Sequence, residues 1–242
     1  MTYCVGMRLE QGLVFLSDSR TNAGVDHINT FRKMHVWEKP GDRLMVLMTA
    51  GNLAVSQTTV SLLKERIGEA EAANLNAAPN MFEAARLVGE ALRDIRRRDA
   101  EALQEFGVEF NAAFIFGGQI GQEAPRLFLV YAAGNFIEAT ADTPYFQIGE
   151  SKYGKPIIDR VLKRCSSLQE AAKLALISMD STIRSNLSVG LPLDLLTYQT
   201  DSLRVARHDN IGADDPYFNR IRSQWSECLT HAFDELPNPE WS

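Results

Sequence analysis

The stretch that decides the fold is Tyr3-Cys4-Val5-Gly6-Met7-Arg8-Leu9, Glu10-Gln11-Gly12, Leu13-Val14-Phe15-Leu16-Ser17. Two short apolar runs flank a three-residue break that contains glycine, which predicts a pair of antiparallel strands at Tyr3–Leu9 and Leu13–Ser17. The same arrangement follows at once. Arg32–Trp37 and Leu44–Thr49 flank Pro40-Gly41-Asp42, a turn in which proline presets one backbone angle and glycine accepts another. Four strands before the first helix exclude alternating strand–helix–strand units and a parallel sheet.

Outward from there, helices arrive in pairs. Leu53–Ala72 is the first and Asn80–Glu105 the second, with Met81, Ala84, Ala85, Val88, Ala91, Leu92 and Ile95 along one face. Strands return at Asn111–Phe116 and Arg126–Ala132, with a short one at Phe146–Ile148. Helices follow at Lys155–Lys163 and Leu168–Ile183, then strands at Asp194–Tyr198 and Leu203–Arg207, and a last helix at Pro216–Phe233. The order predicts an α+β protein, a four-layer α-β-β-α sandwich of antiparallel sheets in a single domain over residues 1–242. Each sheet buries one face on the other and its second face on helices.

Composition removes several functions. With 242 residues, 45% of them hydrophobic, the chain has the apolar fraction of a globular protein rather than a disordered one. Thirty-one acidic against 25 basic residues give a net charge of -6, the wrong sign for a general nucleic-acid binder. The one basic cluster, Arg93, Arg96, Arg97 and Arg98, is interleaved with Asp94, Asp99 and Glu101 and reads as a solvated helix face. No window has the length of apolar sequence a membrane helix needs, and the N-terminus lacks the basic and apolar regions of a secretion signal. A cytoplasmic location is expected.

Cys4, Cys165 and Cys228 are too few and too scattered for a disulfide framework or a zinc site. His27, His35, His208 and His231 include no pair at helical ligand spacing, so neither a metal nor another cofactor is expected. Gly149-Glu150-Ser151-Lys152-Tyr153-Gly154-Lys155 has the spacing of a phosphate-binding loop. Pro156, however, stands where a magnesium-binding hydroxyl belongs, and proline is at home in a first helical turn. A nucleophile elbow of G-x-S-x-G form is absent.

The remaining chemistry lies at the start of the chain. Once Met1 is removed, Thr2 carries a hydroxyl and a free α-amine on one residue. An α-amine has an ordinary pKa of roughly 7.7–8.0, so it can accept the proton of its own hydroxyl near neutral pH. A nearby cation favours the alkoxide and opposes protonation of the amine. Lys33 can supply that charge, with Asp18 to hold it. Gly51, directly after a strand, is the type of residue whose backbone N–H can face an oxyanion unobstructed.

Thr2, Ser17-Asp18-Ser19-Arg20-Thr21-Asn22-Ala23-Gly24, Phe31-Arg32-Lys33 and Thr49-Ala50-Gly51-Asn52 together resemble a proteasome β subunit, an N-terminal threonine hydrolase. Phe146-Gln147-Ile148-Gly149-Glu150-Ser151-Lys152-Tyr153-Gly154-Lys155-Pro156 looks like the signature of the bacterial proteasome-related branch called Anbu. The resemblance covers most of the chain. It implies the N-terminal nucleophile hydrolase sandwich, hydrolysis of peptide bonds in peptide or protein substrates, and a homo-oligomeric ring, lock-washer or open helical ring. An ATPase partner is not specified by it.

The same resemblance puts nucleophile and base at Thr2, the cation at Lys33, its carboxylate at Asp18 and the oxyanion donor at Gly51, with Phe31, His35 and Thr49 at the substrate pocket. Two positions depart from the pattern. Gly149-Glu150-Ser151 replaces the usual Gly-Ser-Gly, so the hydroxyl is either displaced to Ser151 or replaced by Glu150. In Arg184-Ser185-Asn186-Leu187-Ser188, Ser188 matches, but Ser185 stands where an aspartate is usual. These departures make weak activity, a silent assembly subunit, or amidase or peptide-transfer chemistry at the same residues the alternatives. With no longer propeptide and no α-type helical extension before Thr2, activation is expected to need only the removal of Met1, although a retained Met1 would block both base and nucleophile.

Overall fold

The computed structural model describes residues 2–22, 28–69 and 72–241. It opens with β1 (Tyr3–Leu9), β2 (Gly12–Asp18), and the three-residue strands β3 (Arg20–Asn22) and β4 (Ile28–Thr30). Then come β5 (Met34–Lys39), β6 (Arg43–Gly51) and the helices α1 (Leu53–Gly68) and α2 (Met81–Glu105). The second half runs β7 (Ala112–Ile120), β8 (Arg126–Val130), β9 (Phe136–Glu138), β10 (Tyr145–Gly149), α3 (Lys155–Val161), α4 (Leu168–Ser185), β11 (Leu193–Gln199), β12 (Arg207–Ile211) and α5 (Pro216–Asp234).

Two five-stranded sheets form, in the orders β10-β1-β2-β11-β12 and β5-β6-β7-β8-β9, and all their pairings are antiparallel. Side chains alternate across each strand, and the alternation assigns the layers. Cys4, Leu13, Phe15, Val46, Met48, Ile115 and Leu196 meet between the sheets. Tyr3, Val5, Met7, Val14 and Leu16 point the other way, onto α3, α4 and α5. Met45, Leu47, Phe114, Phe116 and Phe128 pack under α1 and α2. The result is the expected α-β-β-α sandwich. Each fully buried aromatic contributes on the order of 2 kcal/mol of transfer free energy.

Helix starts are set by side-chain caps. Asn52 accepts from the N–H groups of Ala54 and Val55, Asn80 from that of Glu83, and Ser167 with Glu170 forms a reciprocal capping box. The Arg93–Arg98 cluster lies on α2, where Arg97 pairs with Asp94 and Arg98 with Asp99.

Three sequence expectations shift. The expected strand Leu203–Arg207 is a loop up to Ala206, in which Leu203 has φ 45° and its N–H donates to the Tyr198 hydroxyl. The final strand is instead the polar Arg207–Ile211, an edge strand bonded only to β11. The hairpin β3–β4 and strand β9 were not expected, because three residues carry no readable alternation. α1 stops at Gly68, short of the expected Ala72.

Candidate active site

β1 is an inner strand, so the backbone just before it is gripped from both sides. On one side Gly149 of β10 pairs with Tyr3, and the Glu150 N–H donates to the Thr2 carbonyl at 2.6 Å. Gly149 has φ +81°, and a Cβ there would sit 2.0 Å from the Thr2 oxygen, so only glycine lets β10 lie this close. On the other side the Tyr3 N–H donates to Asp18 Oδ1 at 3.0 Å, at the end of β2. The Tyr3 ring extends this anchorage into the helix layer. Its hydroxyl bonds with that of Ser178 on α4 and accepts from Gln147 Nε2 at 2.6 Å. Thr2 itself is buried.

Asp18 Oδ1 also accepts from Lys33 Nζ at 2.8 Å, and Lys33 makes a second bond of 2.7 Å to the Arg20 carbonyl. Both side chains are buried, Lys33 at 5% exposure and Asp18 at 0%. Burial pushes the Asp18 carboxyl above its ordinary range, while the charge and hydrogen bond of Lys33 and the N–H groups of Tyr3 and, more weakly, Gly190 pull it back. Asp18 Oδ2 and the neighbouring Ser17 hydroxyl have no hydrogen-bond partner among the described residues.

The Lys33 carbonyl receives the Thr49 N–H at 3.0 Å, joining β6 to the cluster, and Cys4 Sγ lies 3.9 Å from the Thr49 carbonyl. Residues 2–4, Asp18, Lys33 and Thr49 therefore form a closed ring of contacts. Two residues beyond Thr49, Gly51 ends β6 with φ +105°, and a Cβ there would lie 2.4 Å from the Asn111 carbonyl oxygen. Asn52 caps α1 directly after it, so strand end and helix start hold this glycine from both sides.

His35 lies on β5 two residues beyond Lys33, opposite Leu47, and its ring is 6.5 Å from that of Trp37. Burial lowers its pKa to about 4, with Lys64 adding to the effect, so the imidazole is neutral across the physiological range. Strand alternation puts His35, Met45 and Leu47 on the α1 side of the sheet with Thr49, and Met45 and Leu47 are fully buried in the core under α1 and α2. Phe31 is exposed on the segment before β5, its N–H bonded to the Ser19 carbonyl.

Glu150 and Ser151 separate in environment. Glu150 is 8% exposed, and its carboxylate accepts from the Lys152 N–H at 2.9 Å and from Asn186 Nδ2 at 3.2 Å. Ser151 is half-buried, and its carbonyl accepts the Lys155 N–H. Lys155 itself pairs with Asp159, and the former phosphate-loop spacing is folded against Thr2. Ser188 is half-buried on the loop after α4, where its N–H donates to Asn186 Oδ1 at 3.0 Å. That loop reaches β3, since Arg20 Nη1 donates to the Leu187 carbonyl. Ser185, at the end of α4, is exposed. Asn186, which ties Glu150 to the Ser188 loop, was missed by sequence reasoning because no local pattern links positions 36 residues apart. Met1, Ala23, Gly24 and His27 lie outside the described residues.

The proteasome subunit family matches residues 2–191. The chain belongs to that family, and its sandwich is the proteasome-type N-terminal nucleophile fold. Within the family its likeness is to Anbu. It is 54% identical to Anbu, the ancestral β-subunit, from Yersinia bercovieri, over 99% of this chain and 100% of that one, with a TM-score of 0.93. An Anbu Gly-1 mutant from Hyphomicrobium sp. strain MC1 is 52% identical over the whole of both chains, with a TM-score of 0.93. A chain of the helical assembly of the Anbu complex from Pseudomonas aeruginosa is 50% identical over 98% of each, with a TM-score of 0.94. No match is found among curated proteins. No helix of the described residues is long and apolar enough to cross a membrane.

Proposed function

We propose that this protein is an N-terminal threonine peptidase, a single-domain subunit of a cytoplasmic homo-oligomeric ring or open helical ring. The observation that carries this reading is the double use of Asp18 Oδ1, which holds the backbone beside Thr2 and the Lys33 ammonium at one point. With Met1 gone, the neutral α-amine of Thr2 takes the proton of its own hydroxyl as Oγ1 attacks the substrate carbonyl. Lys33 stabilises the developing alkoxide, and the Gly51 N–H faces the tetrahedral oxyanion. The C–N bond then breaks, the departing amine leaves with the proton, and an ester remains on Thr2. Water, deprotonated by the same α-amine, hydrolyses that ester and restores the hydroxyl. No step calls for a metal or cofactor. Phe31, His35 and Thr49 receive the residue before the scissile bond, and Ser151 and Ser188 flank the site from the β10 and α4 sides.

The likeness to a helical Anbu assembly supports self-association, which would also seclude the site. A second reading, an assembly subunit without turnover, is favoured by the exposed Ser185 where the family pattern has an aspartate. Intact mass before and after a peptide epoxyketone decides between them, because that reagent closes its ring on the hydroxyl and free amine together. Loss of Met1 with one adduct is expected. A chain that begins at Thr2 and takes no adduct would establish the silent subunit.

A further inference from the structure

A Thr2 α-amine that acts as a base must spend part of its cycle as an ammonium group in a buried place, and such a charge needs a counter-charge. Asp18 is already matched by Lys33 at 2.8 Å. Asp180, another buried carboxylate, is taken by Arg184 and Arg222 on the outer helices. Glu150 has no such partner. It is buried, and among the described residues its carboxylate receives only two neutral donors, the Lys152 N–H and Asn186 Nδ2. Its own N–H holds the Thr2 carbonyl at 2.6 Å, and Gly149 before it packs on that same carbonyl without a side chain. Asn186 is braced for its part, with its N–H on the Thr182 carbonyl and its Oδ1 receiving the Ser188 N–H.

We propose that Glu150 is the counter-ion of the Thr2 α-ammonium group and sets the pH at which that amine becomes available as a base. The inference rests on the reading that Thr2 becomes the first residue. Lys33 with Asp18 and the α-ammonium with Glu150 then make two pairs of opposite charge at the start of β1, with Arg20 on β3 a further cation at this end. Glu150 raises the pKa of the amine and Lys33 lowers it, so the pair holds the base near neutrality. Among the described residues, the other charged or titratable groups around this end are Tyr3 and Cys4 on β1, Arg20 on β3, which donates to the Leu187 carbonyl, Asp194 on β11 and the exposed Lys152. Glu150 is thus a positioning and charge-setting residue, and the exposed Ser185 leaves that task to it.

The test uses the full chain released from a cleavable fusion so that Thr2 is its first residue. Cyanate carbamylates only the neutral amine, so the extent of modification of the N-terminal peptide against pH, read by mass spectrometry, gives the amine's pKa without any need for turnover. Glu150→Gln is expected to lower that pKa by about one unit, the size of effect a close opposite charge produces. Glu150→Ser, which also removes the charge, is expected to lower it likewise and serves if the first variant does not fold. An unchanged pKa in either folded variant overturns the proposal. Epoxyketone labelling of the same samples separates the two readings. A shifted pKa without an adduct sinks the peptidase and keeps the counter-ion, while an adduct without a shift does the reverse.

Discussion

Two buried polar clusters sit in different parts of the sandwich, and they are completed differently. Around Gln119, on β7, every bond is made. Its Nε2 donates to Asp201 Oδ1 at 2.7 Å and to the Gly121 carbonyl at 3.4 Å, and its Oε1 accepts from the Tyr198 hydroxyl at 2.5 Å and the Asp201 N–H at 3.0 Å. Around Asp18 the set is open, since Asp18 Oδ2 and Ser17 Oγ have no partner among the described residues. Gln119 is uncharged and locks a loop, whereas Asp18 and Lys33 bring charges into the interior and leave acceptors over. A satisfied buried network serves stability, and a partly satisfied one is costly unless something else uses it.

The comparison breaks most sharply at Lys33. Lys33→Ala strands the Asp18 carboxylate, and a loss of about 3–5 kcal/mol is expected in urea unfolding, together with loss of the epoxyketone adduct. Without the lysine, the folded carboxyl titrates higher still. The loss is therefore full at neutral pH and shrinks as the pH falls through the raised value. Adding Asp18→Ala should restore much of the stability and none of the labelling. A Lys33→Ala loss under about 1 kcal/mol would show that the pair is not behaving as a buried ion pair.

Gln119→Leu is the counterpart at the closed cluster. It leaves the Tyr198 hydroxyl and the Asp201 N–H without their acceptor, at about 2–3 kcal/mol, and epoxyketone labelling should be unchanged. Labelling that fell with Gln119 would mean the two clusters are coupled.

Gly51→Ala comes next. Its positive φ and the 2.4 Å approach to Asn111 predict a loss of about 1–2 kcal/mol, with labelling slowed roughly a hundredfold as the N–H moves. Slowed labelling without destabilisation would argue against backbone strain as the cause.

Smallest at neutral pH, and growing only in acid, is the pH response of His35. Its imidazole should titrate at about 4 by NMR. Below its ordinary value of about 6.5 the unfolded chain binds this proton and the native chain does not. Stability therefore falls from that value down to about 4, and relative to His35→Gln the difference should stop changing with pH above that window. A flat difference across the window would mean that the ring is not buried in solution.

The parts of the fold that were legible are those where alternation or helical period runs long enough to read. β1 and β2 show it best, since Tyr3, Val5 and Met7 face the helices while Cys4, Leu13 and Phe15 face the other sheet. β12 was displaced because apolar Leu203 and Val205 resemble a strand better than the polar edge strand Arg207–Ile211 does. At the candidate site, Asp18, Lys33 and Gly51 stand out only through the family resemblance, since singly each has a structural explanation. Glu150 with Asn186, and Gln119 with Tyr198, meet across 36 and 79 residues, where no local signal reaches.

The pairing of Tyr3 with Gly149 has a consequence for biosynthesis. β1 leaves the ribosome before the other strands of its sheet, and one of its two neighbours emerges only some 140 residues later. Until then the end carrying Thr2 hangs in an unfinished sheet, without the Glu150 N–H on its carbonyl. The end that carries Thr2 is thus completed only after residue 150 has been made, when all five strands of the β5–β9 sheet are already available to fold.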